Sequence, residues 1–113
     1  MDESGRRFEV RFADEACKEL RDLGPSAAAE LLRVIAKKLT SDPERYGASL
    51  RRELAGYYRL AVRRWRVVYH VDGRAVLVLV LAVGKRADGD REDIYQGLSR
   101  EDLDDRRDRT RNG

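Results

Sequence analysis

The chain has 113 residues, of which 40% are charged and 42% are hydrophobic, and its formal net charge is +3. A chain of this length forms one domain with a thin apolar core. Its longest apolar run, Ala75 to Val83, is too short to cross a membrane, and no apolar stretch follows Met1, so we expect neither a transmembrane segment nor a secretory signal.

The first part of the chain predicts one strand followed by two helices. Apolar and polar residues alternate over residues 8–12, which is the period of a half-buried strand. Apolar residues then recur at helical spacing over about 14–23 and about 26–41, with Ser26 as the N-cap of the second helix. The single Cys17 falls on the apolar face of the first helix. It cannot form an internal disulfide, which fits a protein of the reducing cytoplasm.

The middle of the chain predicts an antiparallel meander. Residues 44–57 have no clear period and are expected to be mostly loop. Tyr58 to Val62 and Trp65 to Val71 show strand alternation, and Asp72-Gly73 is typical of a two-residue hairpin turn. The run from Ala75 to Val83 is apolar on both faces, as expected of a central strand that is covered on both sides.

The C-terminal segment is highly charged. Residues 92–111 carry a sparse apolar series that includes Leu103, which predicts a loosely docked helix. The expected fold is therefore α+β: an N-terminal strand, a two-helix hairpin, an antiparallel β-meander and a C-terminal helix. We expect residues 1–98 to form the domain and residues 99–113 to form a charged, mobile tail.

The charges are distributed unevenly along the chain. Residues 51–86 contain nine basic and two acidic residues, whereas residues 87–113 contain six basic and nine acidic ones. A concentration of cations, most of them arginine, indicates a polyanionic partner such as RNA, DNA or an acidic protein, because the guanidinium fork matches phosphate and carboxylate. The alternative is a solvated surface, but here the cations interleave with strand residues.

Few residues offer conventional catalytic chemistry. The chain has one histidine and one cysteine and no set of ligands at metal-binding spacing, so we expect no metal and no cofactor. His70 stands at a strand position and is interpreted as an ordinary sheet residue. Arg59, Arg66 and Arg86 come from three consecutive strand elements and can converge on one patch of the sheet. This spacing alone indicates an anion site, not a nuclease.

Three sequence segments resemble the RelE-like toxins of the RelE/ParE superfamily. They are Tyr58-Arg59-Leu60, the aromatic-Arg-hydrophobic pattern of residues 65–69, and the apolar strand that ends in Gly84-Lys85-Arg86, with Tyr95 following in the C-terminal segment. The resemblance covers roughly residues 8–98. It implies a ribonuclease-like toxin fold, cleavage of mRNA in the ribosomal A site without a metal, and inhibition by a cognate acidic antitoxin, with no membrane partner.

The resemblance also implies roles for individual residues. Arg59 matches a residue that contacts the substrate phosphate, Arg66 one that stabilises the transition state, and Arg86 one that protonates the leaving group. Tyr95 matches a ring that stacks on the mRNA base, although it could instead anchor the last helix, and Arg59 could be a surface ion-pairing residue. The residues expected to bind RNA and the ribosome are Arg51, Arg52, Arg63, Arg64 and Lys85.

Two positions depart from the family pattern. Ala61 stands where a lysine or arginine, the proposed general base, is usual, and Arg63 stands where a turn glycine is common. Two alternative functions follow. One is a ParE-like toxin that inhibits DNA gyrase, although such members generally lack an arginine like Arg86 and a tyrosine like Tyr95. The other is a catalytically weak module that only binds the antitoxin, which Ala61 favours.

Overall fold

The computed structural model describes residues 7–85 and 94–113. The elements follow the chain in an α+β order, with two short 3-10 turns at Arg52–Leu54 and Ile94–Gly97. The strands and helices are β1 (Glu9–Phe12), α1 (Asp14–Leu23), α2 (Pro25–Lys38), α3 (Pro43–Tyr46), β2 (Ala48–Ser49), β3 (Tyr58–Val62), β4 (Trp65–Asp72), β5 (Leu77–Lys85) and α4 (Arg100–Asn112). No helix in this described part of the chain is long and apolar enough to cross a membrane.

The five strands form one mixed sheet in the order β1-β5-β4-β3-β2. The strands β3, β4 and β5 form the predicted antiparallel meander, and β1 adds to β5 in parallel, with Val10 opposite Val78. Since β5 lies between β1 and β4, every residue from Leu77 to Val83 is buried. The prediction of a strand covered on both faces is therefore confirmed for Leu77 to Val83, whereas Ala75 and Val76 belong to the preceding turn.

The two faces of the sheet are covered by different helices. Tyr57 and Tyr58 are adjacent and therefore point to opposite faces. The hydroxyl of Tyr57 donates to Asp104 of α4. The ring of Tyr58 stacks on Tyr69, whose hydroxyl donates to the carbonyl of Pro43, the first residue of α3. We call the first surface the α4 face. The opposite face packs on α1 and α2 around buried side chains that include Leu20, Leu31 and Ile35.

The structure corrects the predicted start and end of the second helix. Ser26 is not the N-cap: the helix begins at Pro25, after Gly24, whose φ of 97° suits glycine and whose carbonyl accepts the Ala28 amide. The helix ends at Lys38 and not near residue 41. Beyond it, the hydroxyl of Thr40 donates to the carbonyl of Ala36 and so satisfies one of the last helical acceptors.

Two loop predictions also differ from the structure. The connection between β4 and β5 spans four residues, Gly73 to Val76, because Asp72 pairs with Leu77. The carboxylate of Asp72 accepts the Ala75 amide at 3.2 Å and stabilises this wider turn. Residues 44–57, expected to be mostly loop, contain part of α3, the strand β2 and a 3-10 turn.

The C-terminal helix α4 docks on the sheet through one apolar side chain and many ion pairs. Leu103 is completely buried, and Ser99 caps the helix by accepting the Asp102 amide at 3.0 Å. Arg106 lies within 4.0 Å of the carboxylates of both Glu15 and Glu19 on α1. A helix was predicted here, and its docking by paired charges explains how so polar a segment packs. The domain boundary at residue 98 and the mobility of the tail stay predictions.

His70 lies beneath α4 and contacts a side chain of this helix. Its Nε2 atom is 3.4 Å from Nη2 of Arg111, and its ring lies 5.8 Å from that of Tyr57. Burial lowers the pKa of His70, and the nearby cations Arg107 and Arg111 lower it further. The backbone of Gly56 and, to a smaller extent, the charge of Asp72 oppose this shift. The neutral ring can accept a hydrogen bond from Arg111, while an imidazolium would face a like charge.

We therefore expect the free energy of unfolding to fall as the pH is lowered below about 6.5, the ordinary pKa of histidine. In that range the unfolded chain binds the proton before the folded one, so the stability present at pH 7 is lost towards pH 5. Urea unfolding of wild type and His70→Gln at pH 7 and pH 5 measures this. The variant should lose less stability than wild type, and equal losses would contradict the assignment.

Candidate nucleic-acid interface

The strand register brings two of the predicted site arginines to one face of the sheet. Arg59 on β3 lies opposite Val68, and Ala61 lies opposite Arg66 on β4. Opposite residues share a face, and so do residues two apart along a strand, so Arg59, Ala61 and Arg66 are neighbours. Tyr57, two residues before Arg59, points in the same direction and contacts α4, so Arg59, Ala61 and Arg66 lie on the α4 face. On the other side of Arg66 is Gly84, which contributes no side chain.

Arg66 is held in an unusual environment. It is only 8% exposed, and its Nη1 atom donates to the backbone carbonyls of Arg63 and Trp65, each at 2.8 Å. Within the described part of the chain it has no carboxylate partner, and its Nε and Nη2 atoms donate no hydrogen bond. Buried cations are normally paired, so this arginine has one edge fixed and the other available to an anion.

The remaining described cations of the site are mostly unpaired. Arg59 is half-buried, whereas Arg51, Arg52 and Lys85 are exposed. None of these four forms an ion pair with the residues that the structure describes. The arginines of α4, in contrast, pair with acids of α1 or of α4 itself or, for Arg111, with Asp72 of β4. These four cations therefore leave uncompensated positive charge near β3 and β4, as an anionic ligand requires.

The turn between β3 and β4 carries the last two predicted RNA-binding residues. Arg63 has a φ of 56°, which explains why a glycine is common at this position in the resembled family. Its Nε atom lies 3.0 Å from a carboxylate oxygen of Glu30 on α2, so its charge is already engaged. The guanidinium of Arg64 lies over the ring of Trp65, 5.8 Å from the centroid, and is exposed.

The two other predicted catalytic residues are Arg86 and Tyr95. Arg86 lies outside the described residues. Tyr95 belongs to the 3-10 turn Ile94–Gly97; it is half-buried, packs against the core, and its hydroxyl oxygen is shielded from solvent. The packing is what the alternative interpretation, a core anchor, requires. The roles of both residues stay predictions.

Sequence reasoning missed the features that give Arg66 its character. Arg66 was chosen for its place in the pattern of residues 65–69, but nothing in that pattern indicates that two backbone carbonyls bind it. The link between Glu30 and the turn was also missed, because Glu30 lies on a different element. Among the described residues, no group of three or more histidine, cysteine, aspartate or glutamate side chains could hold a metal ion.

Comparison with known proteins gives consistent results. The family described as "ParE toxin of type II toxin-antitoxin system, parDE" matches residues 10–89. Toxin RelG of Mycobacterium tuberculosis is 35% identical over 81 residues, which cover 72% of this chain and 93% of RelG. The toxin–antitoxin complex RelBE2 of the same organism superposes with a TM-score of 0.68 and 34% identity, covering 73% of this chain and 94% of the matched one. The isolated Escherichia coli toxin RelE superposes with a TM-score of 0.60 and 28% identity, covering 79% of this chain and 92% of RelE.

Proposed function

Because the chain belongs to the RelE/ParE superfamily of type II toxin–antitoxin toxins, we propose that it is a ribosome-dependent endoribonuclease that cleaves mRNA and inhibits translation. The observation that carries this proposal is Arg66, a buried arginine without a carboxylate partner among the described residues, beside Arg59 on the same face. A site that must neutralise a phosphate needs a fixed cation that no internal acid already occupies.

Cleavage of RNA by its own 2′-hydroxyl has three requirements. The hydroxyl must be aligned and lose its proton, the negative phosphorane must be stabilised, and the 5′-oxygen must gain a proton. In our proposal the free edge of Arg66 stabilises the phosphorane, and Arg59 contacts the same phosphate from the neighbouring strand. Arg86 donates the proton to the leaving oxygen, and Tyr95 stacks on the base once the ring is uncovered.

The position of the family's proposed general base carries no titratable side chain in this protein. Ala61 is exposed and lies opposite Arg66, where the family usually has a lysine or arginine. Ala61→Lys is expected to raise the single-turnover cleavage rate by about tenfold or more, because a positioned base typically contributes a factor of about 10²–10⁴. The rate on programmed ribosomes measures this, with exposed Ala55→Lys as a control for added charge. An unchanged rate in Ala61→Lys would mean that the missing side chain at this position does not limit the reaction.

The proposed reaction also needs no metal ion, since arginines supply the positive charge. Cleavage should therefore leave a 2′,3′-cyclic phosphate and a 5′-hydroxyl. It should persist when EDTA is added to preformed ribosome–mRNA complexes at a concentration that leaves the ribosomes intact. Labelling of the product ends tests this. A 5′-phosphate product, or loss of cleavage on chelation while the ribosomes remain assembled, would refute the proposed chemistry.

We also propose that a cognate acidic antitoxin holds this protein inactive in the cytoplasm. The similar RelBE2 structure is a toxin–antitoxin complex, and the basic surface around β3 and β4 suits an acidic partner. A purified acidic antitoxin should suppress cleavage at a stoichiometric ratio.

The main alternative is a toxin that acts on DNA gyrase. It is favoured by the match to the ParE family, and the absence of a cation at Ala61 fits a protein that does not cleave RNA. A third candidate, a module that only binds the antitoxin, would show neither activity. The same preparation of protein assayed for mRNA cleavage and for inhibition of gyrase supercoiling separates all three.

A further inference from the structure

The β3–β4 turn is the structural element that holds Arg66 in place. Arg63 and Arg64 connect the paired residues Val62 and Trp65, so the turn is a two-residue hairpin. Within it Arg63 adopts a left-handed backbone conformation, with φ 56°. In this conformation its carbonyl accepts the Nη1 hydrogen bond of Arg66, which also reaches the carbonyl of Trp65. The direction of the Arg66 guanidinium therefore depends on the conformation of the turn.

The β3–β4 turn is also attached to helix α2. Glu30 on α2 contacts Nε of Arg63 at 3.0 Å, and it precedes Leu31, which is completely buried in the core. The Glu30 side chain is 26% exposed and that of Arg63 is 77% exposed, so the acid is the anchored partner and the arginine the peripheral one. A non-glycine residue in the left-handed region costs about 1–2 kcal/mol, and a tether is a reason for the turn to keep that conformation.

We propose that Glu30 is a positioning residue of the site: by pairing with the side chain of Arg63, it holds the carbonyl that orients Arg66. This inference rests on the proposed function, since it assumes that Arg66 acts in the reaction. It also gives Arg63 a different role from the predicted one. The side chain of Arg63 stabilises the turn, whereas Arg64 in the same turn remains available to RNA.

The first test uses the free protein and needs no activity. In nitrogen-15 NMR spectra of the guanidinium groups, wild-type Arg66 should give separate, slowly exchanging Nη signals, because Nη1 is held by two carbonyls. Glu30→Gln and Arg63→Gln should each broaden or merge these signals. The control is Glu9→Gln, which breaks a matched exposed pair with Arg11 at 2.9 Å on the far edge strand. Unchanged Arg66 signals in both turn variants would overturn the proposal.

The second test measures single-turnover cleavage on ribosomes. Glu30→Gln and Arg63→Gln should each lower the maximal rate by about two- to fivefold, the range expected for one exposed ion pair, with the half-saturating concentration unchanged. The charge-swapped variant Glu30→Arg with Arg63→Glu should recover most of the rate. If Arg63 instead contacts RNA, Arg63→Gln would weaken binding while Glu30→Gln would strengthen it, and the proposal fails. If wild type does not cleave at all, the proposed function fails, and the NMR test still decides whether Glu30 positions Arg66.

Discussion

Replacing Arg66 with alanine is expected to lower the single-turnover rate of mRNA cleavage by about 10²–10³-fold, with a much smaller effect on ribosome binding. The guanidinium is buried and fixed on one edge, so it is already oriented when the phosphorane charge develops. Rates at saturating protein, compared with binding to programmed ribosomes, separate the two effects.

The matched control for this variant is Arg74→Ala. Arg74 is an exposed arginine in the turn at the opposite end of β4, so its removal changes the net charge equally without touching the site. It should leave the rate within about twofold of wild type. A loss in Arg66→Ala that appeared only as weaker ribosome binding would assign this residue to RNA binding and not to the chemical step.

Replacing Leu103 with alanine should release α4 from the sheet. Leu103 is the one residue of α4 that is buried, and deletion of a fully buried leucine side chain costs about 2–5 kcal/mol. Surface ion pairs contribute little each, and Arg106, whose side chain is 12% exposed, pairs with partly exposed acids, so these pairs and those of Arg109 are not expected to hold the helix alone. Backbone amides of α4 should then exchange with solvent about thirtyfold faster or more, since 1.36 kcal/mol corresponds to a factor of ten.

The control for α4 release is Leu32→Ala on α2. This leucine is 42% exposed, and its truncation should leave the amide exchange of α4 unchanged. Amides of β5 report on the sheet in both variants. If Leu103→Ala speeds exchange in β5 as much as in α4, the helix and the sheet unfold as one unit, and the description of α4 as a separately docked element is wrong.

The sequence predicted the meander well because its signals are local. Strand alternation in β3 and β4 follows from a period of two residues. The prediction that Arg59 and Arg66 can converge rested on their places in consecutive strands, and the register puts them on one face. The run within β5 was recognisable as a buried strand from composition alone. A site built on two adjacent strands can be inferred when side-chain direction is fixed by the backbone.

The features that were missed depend on contacts between distant parts of the chain. The parallel pairing of β1 with β5 joins residues about seventy positions apart, and no local pattern specifies it. The four-residue turn after Asp72 was mistaken for a two-residue one because the Asp-Gly pair is common in both kinds of turn. The packing of Tyr95 against the core was one of two interpretations that the sequence left open, because it depends on where the last segment folds back.

The central claim is that this protein cleaves ribosome-bound mRNA, and toeprinting tests it most directly. Purified wild-type protein is added to ribosomes stalled on a defined mRNA, and primer extension locates the new 5′ ends of any cleaved fragments, with Arg66→Ala run in parallel. We predict new ends within the codon in the A site, none on free mRNA, and a strong reduction with Arg66→Ala. Intact mRNA in every reaction, together with inhibition of gyrase by the same preparation, would contradict this account and favour the gyrase-directed alternative.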